Sequence, residues 1–164
     1  MKDELKYIFG NVNEWLKFAE AKHAGIIVLN SAIIIGVLSS NNLPFEKWSI
    51  IISLVSISIS ILASLISQFP ITSNFLVRYK HIEKPNIYFF GDLAKIKMAD
   101  FIVEFQNSFP EFNPNQSDKN IINQILINSK ITLTKYKIFK FCCWLSVFGI
   151  GLLGISTLIT NLCR

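Results

Sequence analysis

The sequence predicts a mainly α-helical membrane protein with three transmembrane helices, an N-terminal cytoplasmic helix, and a small α+β cytoplasmic module between spans two and three. Composition is the first observation behind this prediction. Of the 164 residues, 51% are hydrophobic and only 16% are charged, whereas a soluble domain carries about 25% charged residues. The second observation is that three segments lack charge over about the 20 residues that a helix needs to cross a bilayer.

The uncharged segments set the predicted spans at residues 24–40, 48–68 and 141–163. The first has 17 residues, and it can extend inward through small residues that precede it. Lipid offers no hydrogen-bond partner to the backbone, so each span is predicted to be a helix. The abundant isoleucine and valine therefore do not indicate strands here. A short loop outside the cell, 41–47, connects the first two spans.

The distribution of lysine and arginine predicts the orientation. Residues 1–23 contain four of these cations and residues 69–140 contain ten, whereas Lys47 and Arg164 are the only others. Cytoplasmic segments of membrane proteins carry the excess of positive charge. We therefore predict a multi-pass protein of the bacterial inner membrane with a cytoplasmic N-terminus and an outside C-terminus.

Hydrophobic spacing predicts the elements outside the spans. Residues 1–23 have the helical period, and no proline separates them from the first span. In the module, 69–140, two extended runs around Pro85 predict a short hairpin, and the apolar spacing in 93–109 predicts a helix. Ser117 is the predicted cap of a last helix, which continues without proline or glycine into the third span.

The second span carries small residues at alternating separations of four and three. These positions share one helix face and are Ser49, Ser53, Ser56, Ser60, Ala63 and Ser67. Small hydroxylated residues let helices approach closely in lipid and form hydrogen bonds. Two interpretations stay open: the face packs helices together, or it lines a polar path when several copies assemble as a homo-oligomer.

Few catalytic signals are present. GIGLLG at 149–154 matches the dinucleotide-binding pattern in letters only, because it lies inside an apolar span rather than between a strand and a helix. We predict no enzymatic activity, no metal and no cofactor. The module carries ten basic and six acidic residues, which favours anionic lipid headgroups or a small anion. Because the acids are interspersed, nucleic acid is not expected as a partner.

Three stretches taken in order resemble the transmembrane effector family of Pycsar, the bacterial pyrimidine-cyclase antiphage system. They are NEWLKFAEAKHAGIIVLNSAIIIG (13–36), PNIYFFGDLAK (85–95) and NSKITLTKYKIFK (128–140). His23 departs from the family pattern, which has asparagine there. The resemblance implies a partner pyrimidine nucleotide cyclase that makes cyclic CMP or cyclic UMP on infection. The effector would sense this nucleotide, impair the membrane and kill the cell, an abortive infection.

The resemblance also implies a nucleotide pocket around residues 86–95. Tyr88 or Phe90 would stack on the pyrimidine. Asp92 would accept a hydrogen bond from ribose or base, and Lys95 would meet the phosphate. Further candidates from the other stretches are Lys22, Asn128, Lys130 and Lys135. Two interpretations from other classes stay open: a small structural or scaffold membrane protein without a ligand, and a channel or transporter subunit.

Overall fold

A computed structural model describes residues 2–39, 47–70, 77–80 and 82–162. These residues form five helices: α1 (Lys2–Leu38), α2 (Lys47–Gln68), α3 (Phe90–Leu93), α4 (Met98–Ser108) and α5 (Gln116–Leu162). The chain divides into two compact units, of which unit 1 comprises Met1–Ala19 and Ile71–Tyr136 and unit 2 comprises Glu20–Pro70 and Lys137–Arg164. Except for Lys47, the predicted outside loop 41–47 lies beyond the described residues, as does the last predicted residue of the third span.

Three of the helices are long and apolar enough to cross a membrane by length and composition, namely α1, α2 and α5. The N-terminal helix and the first span form the single helix α1 of 37 residues, as predicted. The last helix and the third span form α5, whose 47 residues extend over about 70 Å at 1.5 Å per residue. Both α1 and α5 contribute residues to both units.

The predicted α+β character of the module is wrong, because no strand occurs among the described residues. The extended run after Pro85 folds into a turn instead of a hairpin arm: the Phe89 amide donates to the Asn86 carbonyl at 3.1 Å. Side-chain oxygens accept hydrogen bonds from the backbone amides that a neighbouring strand would have paired in a hairpin. The Tyr88 amide donates to Asn86 Oδ1 at 2.9 Å, and the Asn86 amide donates to Asp92 Oδ2 at 3.2 Å. An isolated two-stranded hairpin is marginal in water, so these local bonds prevail.

The helix expected in 93–109 begins only at Met98, as α4, and Leu93 belongs to the short helix α3. Lys97, with φ −90° and ψ 163°, is extended and begins α4. Its amide donates to Asp100 Oδ2 at 3.1 Å, which satisfies one of the amides left open at a helix start. The intervening Ile96 is 1% exposed. Burial of the Ile96 side chain and the Asp100 cap therefore stabilise the break more than the helical spacing of the apolar residues stabilises a continuous helix.

A hydrophobic core holds unit 1 together. It joins the first three turns of α1, helix α4 and the first half of α5, and its fully buried members include Leu5, Ile8, Val12, Phe101, Phe105, Ile122 and Ile125. Four phenylalanines form a cluster, in which the Phe105 ring stacks on Phe101 at 5.8 Å and lies tilted at 4.8 Å from Phe109 and 4.6 Å from Phe112. Aromatic pairs at such distances stabilise a core beyond their buried area.

The start of α5 differs by two residues from the prediction. Ser117 lies inside the helix, and the cap is Asn115. Asn115 Oδ1 accepts from the Asp118 amide at 2.9 Å, and Asp118 Oδ2 accepts from the Asn115 amide at 3.1 Å. This reciprocal pair satisfies two backbone donors in the manner of a capping box.

In unit 2 the serine face of α2 lies between the spans of the same chain. Four of its six positions are buried (Ser53, Ser56, Ser60 and Ser67), and two are half-buried (Ser49 and Ala63). Ser49 Oγ lies 2.9 Å from Ser156 Oγ on α5. At the other end of the face, Ser67 Oγ lies 3.0 Å from His23 Nε2 on α1. Such interhelical hydrogen bonds contribute about 0.6–1.7 kcal/mol each in lipid.

Gly149 on α5 marks a close approach to α2. A Cβ atom there would lie 2.7 Å from Ile57 Cγ1 and 3.0 Å from the Ser53 carbonyl oxygen. Because the backbone oxygen cannot move cheaply, we expect Gly149→Ala to lower the free energy of unfolding by about 1–3 kcal/mol. Thermal unfolding of the detergent-solubilised chain would measure the loss.

Gly154 provides the matched control on the same helix. Among the residues that the structure describes, none has an atom within 4 Å of a Cβ at this position, and alanine is the better helix former by about 0.5–1 kcal/mol. Gly154→Ala should therefore leave stability unchanged or raise it slightly. Equal destabilisation by both substitutions would show that the Gly149 contact does not set the packing of α5 on α2.

Candidate functional site

A basic pocket lies in unit 1 and includes two residues of the segment 77–80. Its volume is about 310 Å³, at the small end of the range for small-molecule sites, and its lining residues are Tyr79, Lys80, Lys95, Lys97 and Asp100. The lining includes three lysines and one aspartate, so its charge favours an anion. An aromatic ring beside these cations adds a surface on which a planar group can stack.

Backbone bonds position the lysines of this pocket. The Lys80 amide donates to the Lys95 carbonyl at 2.9 Å, which joins residues 77–80 to the turn after α3. Lys95 lies at the end of that turn, and Lys97 begins α4. Since Asp100 accepts from the Lys97 amide, its carboxylate both caps α4 and lies within the pocket.

Lys130 of α5 contacts the pocket tyrosine, Tyr79. Its Nζ donates to Tyr79 Oη at 2.8 Å and lies 4.3 Å from the centroid of the ring. Lys97 Nζ lies 6.0 Å from the same centroid. Lys130 is only 8% exposed, whereas Tyr79 is 59% exposed. The buried ammonium therefore anchors the ring and leaves much of it accessible for stacking.

The structure places two of the predicted residues at this pocket. Lys95 lines it, and Lys130 contacts Tyr79. Asp92 lies one helical turn before Lys95, with 3.9 Å between Oδ1 and Nζ. Its other oxygen accepts from the Asn86 amide, so the carboxylate orders the turn that precedes the pocket.

Tyr88 and Phe90 do not line the pocket and contact other residues of unit 1. Tyr88 Oη donates to Glu4 Oε1 at 2.9 Å, and burial together with this hydrogen bond raises the pKa of the Tyr88 phenol above its ordinary value. Phe90 is 6% exposed and stacks on Tyr136, with 5.2 Å between the centroids. The Phe90 ring also lies 5.0 Å from that of Phe89 and 5.4 Å from that of Trp15.

The remaining predicted residues lie apart from the pocket lining. Asn128 Nδ2 donates to Asn13 Oδ1 at 2.8 Å, which joins α5 to α1 within unit 1. Lys135 is 2% exposed. Lys22 belongs to unit 2, where its Nζ lies 5.5 Å from the Phe139 ring centroid.

Sequence reasoning missed four of the five lining residues: Tyr79, Lys80, Lys97 and Asp100. A usable signal was present in Lys95-Ile96-Lys97, where two lysines flank an isoleucine that the structure buries. An apolar residue between two cations indicates an extended segment that presents both cations on one side. Tyr79 carries no comparable signal, because its place depends on its own long-range bond with Lys130 and on the bond of its neighbour Lys80 with Lys95.

One comparison with known proteins identifies a family. The family model described as Pycsar effector protein domain matches residues 4–160 of the chain. That range includes most of both units and every residue of the basic pocket. No curated protein and no solved structure matches the chain.

Proposed function

Because the chain belongs to the Pycsar effector family, we propose that it is an antiphage effector activated by a cyclic pyrimidine mononucleotide, cyclic CMP or cyclic UMP. A pyrimidine nucleotide cyclase is the functional partner and makes this messenger on infection. The effector then impairs the inner membrane, and the cell dies before phage matures. The effector itself acts by binding rather than by catalysis, with no cofactor.

The basic pocket is the observation that supports nucleotide binding. A cyclic mononucleotide presents one phosphate charge and one planar base, and the pocket offers lysines beside an exposed tyrosine ring. In this proposal Lys95 and Lys97 bind the phosphate and Tyr79 stacks on the base, and the support is that all three residues line one pocket. A volume of about 310 Å³ suits a mononucleotide better than a larger dinucleotide, since small-molecule sites begin near this size.

The charge distribution supports a cytoplasmic position for unit 1, where an intracellular nucleotide reaches it. Fourteen of the sixteen lysines and arginines lie in residues 1–23 and 69–140, and such an excess faces the cytoplasm. In this topology the N-terminus is cytoplasmic, three helices span the inner membrane, and the C-terminus is outside.

Helix α5 supplies the route from ligand to membrane. Lys130 contacts the pocket tyrosine, and the same uninterrupted helix continues to Leu162 through the third span. A phosphate beside Tyr79 attracts the buried ammonium and changes the contacts that fix α5. A ligand shifts an equilibrium by its differential affinity for two states, so the nucleotide must bind the activated arrangement of α5 more tightly than the resting one.

Dye entry into living cells tests this function. Cells that express the chain together with an active pyrimidine cyclase should lose membrane potential and, as they die, admit a membrane-impermeant DNA dye. The same chain beside a catalytically inactive cyclase should leave both unchanged, which controls for overexpression of a membrane protein. Growth arrest with an intact membrane potential would contradict membrane impairment.

A further inference from the structure

Polar side chains line the interior of unit 2 from end to end. We name this feature the polar seam; its members are Asn30 of α1, Ser49, Ser53, Ser56, Ser60, Ser64 and Ser67 of α2, and Ser146 and Ser156 of α5. From Ser49 to Ser67 the seam extends over about 27 Å at 1.5 Å per residue. The hydrocarbon core of a bilayer is about 30 Å thick, so the seam is long enough to cross most of it.

Asn30 forms the centre of the seam and connects all three spans. Its Nδ2 donates to Ser60 Oγ at 3.0 Å and to Ser146 Oγ at 2.8 Å. The two serine oxygens lie 2.9 Å apart, and each is 2.9 Å from the Cys142 carbonyl oxygen. These groups hold α1, α2 and α5 together at one level of unit 2.

Some polar atoms of the polar seam have no hydrogen-bond partner within it. Asn30 Oδ1, Ser53 Oγ and Ser64 Oγ have no hydrogen-bond partner among the described residues, and all three side chains are 0% exposed. A buried polar atom without a partner is costly, and water is the usual partner that such atoms recruit when space allows. Hydration of the seam would therefore recover hydrogen bonds that the resting arrangement lacks.

The outward faces of α2 and α5 are apolar, in contrast to the polar seam. On α2 the exposed residues are apolar and include Ile51, Ile52, Val55, Ile59, Leu62 and Ile66. On α5 they include Trp144, Val147, Phe148, Ile155 and Leu158. A pore formed between copies that meet through these faces would be lined by alkyl and aromatic groups, and hydrophobic constrictions exclude water.

From this contrast we infer that the path for water and small ions through the activated effector runs along the polar seam inside each chain, rather than between assembled copies. The inference rests on the proposed membrane impairment. A small separation of α2 from α1 and α5 admits water to Ser53, Asn30 and Ser64 in turn. The lipid-facing surfaces keep their contacts with lipid throughout.

Thiol labelling in cells tests the route. In a chain whose three native cysteines are replaced by alanine, single substitutions Ser53→Cys and Ser64→Cys place a thiol in the seam, and Ile52→Cys and Leu62→Cys place one on the lipid-facing side. A charged, membrane-impermeant methanethiosulfonate should modify the seam thiols only when the cyclase is active, and modification should reduce ion leakage. The lipid-facing thiols should stay unmodified, because thiolates do not form in lipid.

A second pair of variants keeps the inference testable if a cysteine chain does not fold. Asn30→Leu replaces the central amide by an apolar side chain, so we expect loss of leakage while nucleotide binding to the full chain is retained. Val28→Leu, on the exposed side of the same helix, should leak as the native chain does. Leakage through Asn30→Leu at the native rate would overturn the inference.

The results separate the inference from the function on which it rests. If the activated chain leaks but only Ile52→Cys and Leu62→Cys become modified, the path runs between copies, and the seam proposal is wrong while membrane impairment stands. If the native chain with an active cyclase does not leak at all, membrane impairment itself is wrong, and the seam proposal is overturned with it.

Discussion

Replacement of Phe105 by alanine should lower the free energy of unfolding of unit 1 by about 3–5 kcal/mol, the range measured for buried phenylalanine. The side chain is 0% exposed and lies within 6 Å of three other phenylalanine rings. Alanine would leave a cavity between α4 and its neighbours. Because a domain is stabilised by only about 5–15 kcal/mol in total, this loss removes a large share of the stability of unit 1.

Val103 provides the matched control, since it lies on the same helix and is 59% exposed. Val103→Ala should change stability by less than about 0.5 kcal/mol. Amide hydrogen exchange of residues 98–126 in the detergent-solubilised chain reports on unit 1 directly. Equal acceleration of exchange in the two variants would show that α4 does not pack through Phe105.

Reversal of charge at Lys97 should have the largest effect on ligand binding. A phosphate about 4 Å from an ammonium gains about 1–4 kcal/mol, depending on exposure to water. Lys97 is exposed, so we expect Lys97→Glu to weaken nucleotide binding by about 2–3 kcal/mol, or roughly 30- to 150-fold. Lys97→Gln removes the attraction without adding repulsion, and it should fall between the native chain and Lys97→Glu.

Lys119 controls for the change in net charge. It is exposed and belongs to unit 1, but it does not line the pocket. Titration calorimetry with cyclic CMP and cyclic UMP should give native affinity for Lys119→Glu. If Lys97→Glu and Lys119→Glu weaken binding equally, the effect is long-range and the pocket does not hold the phosphate.

The long helices could be predicted because lipid and helical period leave few alternatives. The length of the uncharged segments identified the apolar parts of α1, α2 and α5. The absence of proline immediately before the first and third spans indicated that α1 and α5 run without a break. The prediction of a hairpin around Pro85 was wrong because β propensity is strongly context-dependent. There the side chains of Asn86 and Asp92 supply hydrogen bonds that the pattern of apolar residues does not reveal.

The candidate site was predicted only in part for a related reason. Lys95 and Lys130 were identified, but their common neighbour is Tyr79, which is separated from Lys130 by 51 positions in the chain. The helical or strand period of a sequence cannot predict a contact between residues so far apart in the chain. The serine face shows the same limit, since its spacing placed the hydroxyls on one side of α2 and left open which helices they meet.

Photo-crosslinking of a cyclic pyrimidine nucleotide to the purified full chain tests the central claim most directly. A 4-thiouridine 3′,5′-cyclic monophosphate bound in the basic pocket should crosslink under ultraviolet light to the peptide that contains Tyr79. Unlabelled cyclic UMP or cyclic CMP should compete with the reaction, and linear uridine monophosphate should not. Crosslinks confined to unit 2, or crosslinks that no cyclic nucleotide suppresses, would contradict the account.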